Sequence, residues 1–261
     1  MKNLLAVIAI VLLLSNSTLA MKMNDIVTIQ LDKPLWALSL QNPEWLLPEK
    51  QTEKDVLVFC FSAAQKGTPE DGQSQQEDDL GRTTRALPLY IAERITIETN
   101  LNAYNLMPIL KGTGPIVAGQ RNDPGELASV MTNKPAFIIT GHFETDYIGL
   151  KRTLVVYLYE TASDSETEIV RITKLAKSPA DIGSQAADDI LTALTQTSHF
   201  NFESSSSLFP RPPKKYIREY LDGLGQLFIQ TVIQNGYAPA ETLWGEDNMI
   251  RWYQSLWEAL P

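Results

Sequence analysis

The chain has 261 residues, of which 44% are hydrophobic and 20% are charged, a balance typical of a globular protein with a hydrophobic core. Its formal net charge of −9 argues against binding to nucleic-acid phosphates, which needs clustered Lys and Arg, and against adhesion to anionic membranes. The single cysteine, Cys60, excludes a framework of internal disulfides, and its place in an apolar run predicts a buried, unreactive thiol.

The first twenty residues have the layout of a secretory signal peptide. Lys2 supplies the positive start, residues 4–14 are an unbroken apolar run, and Thr18 and Ala20 are small residues at the two positions that matter for cleavage. The apolar run is too short to span a bilayer, which needs roughly 20 residues. We expect cleavage near Ala20 and a periplasmic or secreted protein without a stable membrane span.

Two strands and two helices are predicted in the first half of the mature chain. Residues 26–31 and 55–62 are apolar runs typical of strands, and the second has the continuous pattern of a central strand. Residues 63–83 are so polar that a mobile, solvated loop is predicted. Residues 84–103 have helical spacing, and Asp123 precedes a proline as the N-cap of a further helix.

The region from residue 136 to residue 196 has the clearest pattern. Apolar and polar residues alternate from 137 to 147 and again from 154 to 158, which predicts a hairpin with one buried face. Residues 168–175 are predicted to be a third strand. Ser178, with a proline and Asp181 after it, then begins a helix whose apolar residues lie on one face.

Serine and proline dominate residues 201–215, which indicates a linker or long loop. Two further helices are predicted beyond it, at about 215–235 and 247–260. The predicted organisation is a signal peptide (1–20), an α/β domain (21–200), a linker (201–215) and a C-terminal helical region (216–261).

The order of the predicted elements resembles a known scaffold. Residues 135–143, PAFIITGHF, resemble the strand of that scaffold written lvtGtv, and residues 154–161, LVVYLYET, are similar to its next strand. The capped helix at 179–196 matches the element that closes the scaffold. The resemblance is to the amino-terminal α/β domain of the TolB family, shared in outline with the CsgG family, and it covers roughly residues 55–197.

This resemblance implies an α+β fold of the anticodon-binding-like type, in which helices pack on a mixed sheet. A small helical region follows that fold in this chain. The resemblance also implies a non-catalytic envelope module for binding or assembly. The chain departs from both families. TolB proteins continue into a β-propeller where this chain has predicted helices, and CsgG proteins have a lipidated cysteine and membrane-spanning hairpins that we do not find in this sequence.

The clearest candidate for a chemical site is formed by His142, Glu144 and Asp146. A strand would place all three side chains on one face, and a histidine with two carboxylates is a possible zinc ligand set. The plainer interpretation is the polar, solvated face of a hairpin. No cofactor is predicted.

Aromatic side chains are concentrated close to the end of the chain. Aromatic residues are enriched at binding hot spots, which makes this segment a candidate for interaction with a partner. The alternative is that its helix packs on the rest of the protein. The candidate residues are Trp244, Met249, Trp252, Tyr253, Leu256 and Trp257.

Three functions remain open at this point. The first is a non-catalytic bacterial cell-envelope protein that acts in protein–protein interaction or assembly, with self-association also open. The second is a metal-dependent hydrolase that uses the face of His142, Glu144 and Asp146. The third is a periplasmic small-ligand binding protein in which Trp36 or Trp45 stacks on the ligand; packing on the core is the plainer role for both tryptophans.

Overall fold

A mixed β-sheet with helices packed on it forms the body of the protein, which confirms the predicted α+β class. The computed structural model describes residues 7–8, 26–38, 40, 46–50, 55–65, 73–74, 79–146, 149–176, 178–202, 209–240 and 254. The strands are β1 (Val7–Ile8), β2 (Ile26–Leu31), β3 (Asp55–Phe59), β4 (Ser62–Gln65), β5 (Gln73–Ser74), β6 (Asn102–Leu110), β7 (Gly114–Val117), β8 (Phe137–Thr145), β9 (Lys151–Glu160) and β10 (Ser165–Leu175). The helices are α1 (Leu35–Leu38), α2 (Asp79–Glu98), α3 (Pro124–Val130), α4 (Pro179–Thr195) and α5 (Ile217–Gln234).

The strands follow the order β1-β2-β6-β3-β8-β9-β10 across the sheet. β3 pairs in parallel with β6 and β8, and the outer pairs are antiparallel. β4 extends the pairing with β8, while β7 pairs with β6 and β5 pairs with β7. The two residues of β1 belong to the predicted signal peptide, and the rest of that peptide lies outside the described residues.

The two parallel crossovers place helices on opposite faces of the sheet. The chain passes from β3 through α2 to β6, and then from β6 through α3 back across β3 to β8. Because such connections are right-handed, α2 and α3 lie on opposite faces. We call these the α2 face, which α4 also covers, and the α3 face, on which only a helix of seven residues lies within the described part of the chain.

Helix α2 is the centre of the core. Residues 81–99 are all buried, because the sheet covers one side of the helix and α4 and α5 cover the other. Apolar residues of α5, among them Leu221, Phe228 and Ile229, belong to the same core cluster as the strands. α5 therefore shares the core of the α/β part, while the division of the chain at residues 201–215 stays a prediction.

Several predicted boundaries change. Residues 62–65 and 73–74 are strands and α2 already begins at Asp79, so the expectation of a solvated loop over 63–83 is wrong where the structure describes it. Arg82 and Thr83 are buried because α4 and α5 pack there, and the methyl carbon of Thr83 occupies the space beside Gly183. The helix predicted for 84–103 ends at Glu98, and β6 follows.

The local capping signals predict two helix starts correctly. Asp123 accepts hydrogen bonds from the amides of Gly125 and Glu126 at the start of α3. Ser178 and Asp181 form a reciprocal capping box at the start of α4, with Pro179 in the first turn. The helix predicted for 247–260 lies outside the described residues.

Candidate functional site

The centre of the site is a side-chain pair, Ser62 and His142, on the α3 face of the sheet. Ser62 Oγ lies 2.8 Å from His142 Nδ1. The pair depends on a change of register: Val58 is opposite Ile139, but Ser62 is opposite His142, so the β3–β4 side has one extra residue. Such a bulge reverses the alternation of side chains, and here it turns Ser62 to the face that His142 occupies.

A proline in α2 leaves a carbonyl group free to accept a hydrogen bond from the bulge. Pro88 lies inside α2 and has no N–H group, so the carbonyl of Thr84 loses its usual helical donor. The amide of Phe61, at the bulge, donates to that carbonyl at 3.0 Å. Asn122 Nδ2 donates to the carbonyl of Cys60 at 3.1 Å. The backbone groups freed by the bulge are therefore bound to the protein.

Gly141 makes room for the same bulge. A Cβ atom at this position would lie 2.5 Å from a ring carbon of Phe61, closer than such atoms approach in proteins. The absence of a side chain at Gly141 allows the Phe61 ring to cover the strand, which fixes the residue that precedes Ser62.

The environment of His142 favours the neutral imidazole. Burial lowers the pKa of His142, the charge of Glu144 opposes that effect, and the charge of Arg121 adds to it. Ser62 Oγ lies 3.2 Å from the carbonyl of Gly141; when it donates there, Nδ1 donates to Oγ and Nε2 is left as an acceptor. Ser62 itself is fully buried, so its hydroxyl positions the ring and is not accessible to a substrate.

The three predicted metal ligands have different surroundings in the structure. Glu144 is exposed on the α3 face, while Asp146 lies beyond the end of β8. The Asp146 carboxylate accepts from the amide of Leu150 at 2.9 Å and so closes the turn before β9. Within the described ranges, no group of three or more His, Cys, Asp or Glu side chains is placed to hold a metal ion.

Next to His142, an aromatic and charged surface covers β9 and β10. The guanidinium of Arg121 lies 4.2 Å from the ring centre of Tyr157 and 2.8 Å from a carboxylate oxygen of Glu166. Arg171 and Glu168 form a second pair at 2.6 Å. We call these five residues the β9–β10 surface. Sequence reasoning missed it, because Arg121 comes from a distant loop.

Trp36 packs on the protein, in agreement with the plainer interpretation. Its ring stacks on Phe209 at 4.6 Å between ring centres, and its side chain hydrogen-bonds to Glu93. The cavity beside it, lined by Leu35 and Glu93, has a volume of about 10 Å³. That is room for about one water molecule, which rules this cavity out as a ligand pocket.

The remaining predicted candidates lie outside the described residues. They are Trp45 and the C-terminal set of Trp244, Met249, Trp252, Tyr253, Leu256 and Trp257. Cys60 is buried, and burial raises the pKa of its thiol to about 12, as expected for an unreactive core cysteine. Among the helices that the structure describes, none has both the length and the apolar character to cross a membrane.

No protein-family model matches the chain, and no curated protein matches it. A solved structure of TolB from Acinetobacter baumannii is similar to part of it, with 9% sequence identity and a TM-score of 0.30. The similarity covers 57% of this chain and 30% of the TolB chain, so this chain matches less than a third of that protein's length. The assignment of function therefore rests on the chain's own residues.

Proposed function

We propose that the protein is a non-catalytic binding protein of the bacterial cell envelope and acts by contact with another envelope protein. The observation that supports this function is the β9–β10 surface. Tyrosine and arginine are enriched in protein interfaces, and here they lie on a sheet face that the described helices leave accessible.

We favour binding over hydrolysis because polar groups close to the β9–β10 surface are already hydrogen-bonded within the protein. The Ser62 hydroxyl is buried against His142, and the Asp146 carboxylate is engaged in a turn. In this proposal His142 and Glu144 contribute to the shape and charge of the binding face, and no reaction is assigned to them.

The aromatic residues near the chain end form a second proposed contact. They are Trp244, Trp252, Tyr253 and Trp257, with the apolar residues Met249 and Leu256 between them. Large, rigid aromatic side chains contribute most of the energy at many interfaces, which supports this choice.

The proposed location is the periplasm, after removal of the signal peptide near Ala20. The support is the sequence of residues 1–20, with one positive charge before a short apolar run.

Site-specific photo-crosslinking in intact cells tests the proposed function. A photoreactive amino acid replaces Thr173, exposed on the α3 face beside the β9–β10 surface, or Trp252 in the C-terminal segment. Asp189, exposed on α4, is the matched control. We expect a defined adduct with an envelope protein from Thr173 and from Trp252, and none from Asp189. The proposal is wrong if neither position gives an adduct that Asp189 lacks.

A further inference from the structure

A cleft of about 530 Å³ lies at the other end of the α3 face, away from His142. It is lined by residues at the end of β2, at the starts of β3 and β6, and in the segment that follows α3. Small-molecule sites in proteins have volumes of about 300–1,000 Å³, so this cleft has the size of a ligand site.

The register of the strands explains which side chains meet there. Asn105 donates to the carbonyl of Pro88 on α2, so its side chain lies on the α2 face. Tyr104, the residue before it, therefore lies on the α3 face. Asp55 is paired with Asn102, two residues before Tyr104, and the pairing of Leu31 with Asn105 places Asp32 beside Tyr104 on the other side.

The charged residues that line this cleft, in the part of the chain that the structure describes, are all negative. Its two ionisable acids are Asp32 and Asp55, and no Lys, Arg or His is among the described residues that line it. In the described part of the chain, neither carboxylate forms an ion pair; Asp32 accepts only from its neighbour Gln30, at 2.5 Å. Among the described residues, the cleft therefore presents two carboxylates and no cationic side chain.

The negative charge of the two carboxylates also affects the pKa of Tyr104, which lies between them. Burial raises the pKa of Tyr104, and the negative charges of Asp55 and Asp32 raise it further. The phenol is accordingly neutral at physiological pH, and its hydroxyl is available as a hydrogen-bond donor or acceptor beside the carboxylates.

The opposite wall of the cleft combines two apolar residues with two polar ones, Thr132 and Asn133. Val130, at the end of α3, is 50% exposed, and Met131 follows it. An exposed valine and an adaptable methionine side chain provide a surface for a hydrocarbon stem. The cleft thus combines a carboxylate wall with a wall that has an apolar part, Val130 and Met131.

We propose that this cleft binds a small organic cation, an amine or guanidinium compound with an apolar stem. One cationic group pairs with the two carboxylates of Asp32 and Asp55, or two cationic groups pair with one carboxylate each, and the stem packs on Val130 and Met131. This site is separate from the proposed protein-binding surface, because its residues come from β2, β3, β6 and the segment after α3, whereas that surface lies on β9 and β10, on the other side of β8.

Calorimetric titration of the purified full chain with agmatine tests the proposal. Agmatine has a guanidinium group and an ammonium group joined by a four-carbon stem. We expect saturable binding at one site, weaker binding of n-pentylamine, and no binding of pentanoate, which has a similar stem but the opposite charge. Affinity for agmatine should fall as the salt concentration rises, because the attraction is electrostatic.

Single substitutions locate the binding. Asp55→Asn and Asp32→Asn should each weaken agmatine binding roughly tenfold or more, since each removes a charged partner. Glu126→Gln is the matched control, because it removes one negative charge from α3 outside the cleft and should leave affinity unchanged. Thermal melting without ligand verifies that each variant is folded.

Equal weakening by all three variants would mean that general charge, and not the cleft, attracts the cation. Unchanged affinity in both aspartate variants would overturn the proposal, as would binding of pentanoate as tight as that of agmatine. Neither result would bear on the crosslinking experiment, so the two proposals fail separately.

Discussion

At the scale of the residue, His142 makes stability depend on pH. Its pKa is lowered in the folded protein, chiefly by burial, so the unfolded chain takes up a proton at a pH where the folded protein does not. The contribution of His142 to the free energy of unfolding should therefore be complete above its unfolded pKa of about 6.5 and decrease as pH falls toward the folded value. Urea unfolding of the wild type and of His142→Asn, from pH 7.5 to pH 5, measures it.

The expected result is that the advantage of the wild type over His142→Asn shrinks as the pH falls. The second histidine, His199, is present in both proteins, so it does not affect the comparison. An advantage that grows at low pH would instead mean that Glu144 holds a protonated imidazole in the folded state, contrary to the balance in which burial dominates.

The sequence predicted the strand face on which His142 lies, but not the side chain that it contacts. Period-two alternation places His142 and Glu144 on one strand face, and that local pattern needs no tertiary knowledge. The partner of His142 was not predictable in the same way. Ser62 reaches it through a bulge that depends on Pro88, Thr84 and Phe61, and no local rule connects a proline in a helix with the register of a strand two dozen residues earlier.

At the scale of the element, buried charges connect α2 to the segment before α5. Glu98 is 1% exposed and binds Arg94 at 3.3 Å and Arg211 at 2.9 Å. Arg94 also binds Glu93, which accepts from the hydroxyl of Tyr220 on α5 at 2.6 Å. These pairs offset part of the free-energy cost of burying the charges of α2.

Arg211→Met should lower the free energy of unfolding by about 2 kcal/mol, because it leaves the buried Glu98 carboxylate with Arg94 alone. Arg218→Met is the matched control. Arg218 pairs with Asp181 at 3.3 Å, but both side chains are well exposed, and such pairs contribute about 0.5 kcal/mol or less. Denaturant titrations compare the two variants. Equal losses would show that Arg211 acts as an ordinary surface residue.

The helices also show where sequence patterns stop being informative. The starts of α3 and α4 were predictable because each cap is made by residues within three positions of one another. The start of α2 was not, since Asp79, Arg82 and Thr83 are polar and this first turn packs on α4 and α5. Burial of Arg82 beside Asp222, at 3.5 Å, is a tertiary contact that composition does not reveal.

At the scale of the whole molecule, the burial of α5 argues against independent folding of the predicted α/β domain and helical region. α5 buries Ile217, Leu221, Leu224, Phe228, Ile229 and Val232 against the other elements. At about 1.5–3 kcal/mol for each fully buried side chain, this contact contributes on the order of 10 kcal/mol. That is comparable with the total stability of an ordinary domain, about 5–15 kcal/mol.

A fragment of residues 21–200 should consequently lack a cooperative thermal transition, whereas a fragment of residues 21–240 should retain one. The first loses α5 and exposes the apolar and charged side chains of α2, while the second loses only the aromatic C-terminal segment. Circular dichroism melts and dye binding to exposed apolar surface distinguish the two. A cooperative transition in 21–200 would show that α5 is dispensable. Unfolding of 21–240 would place Trp252 and its neighbours in the core and contradict their proposed role as an interface, because an interface can be removed without loss of the fold.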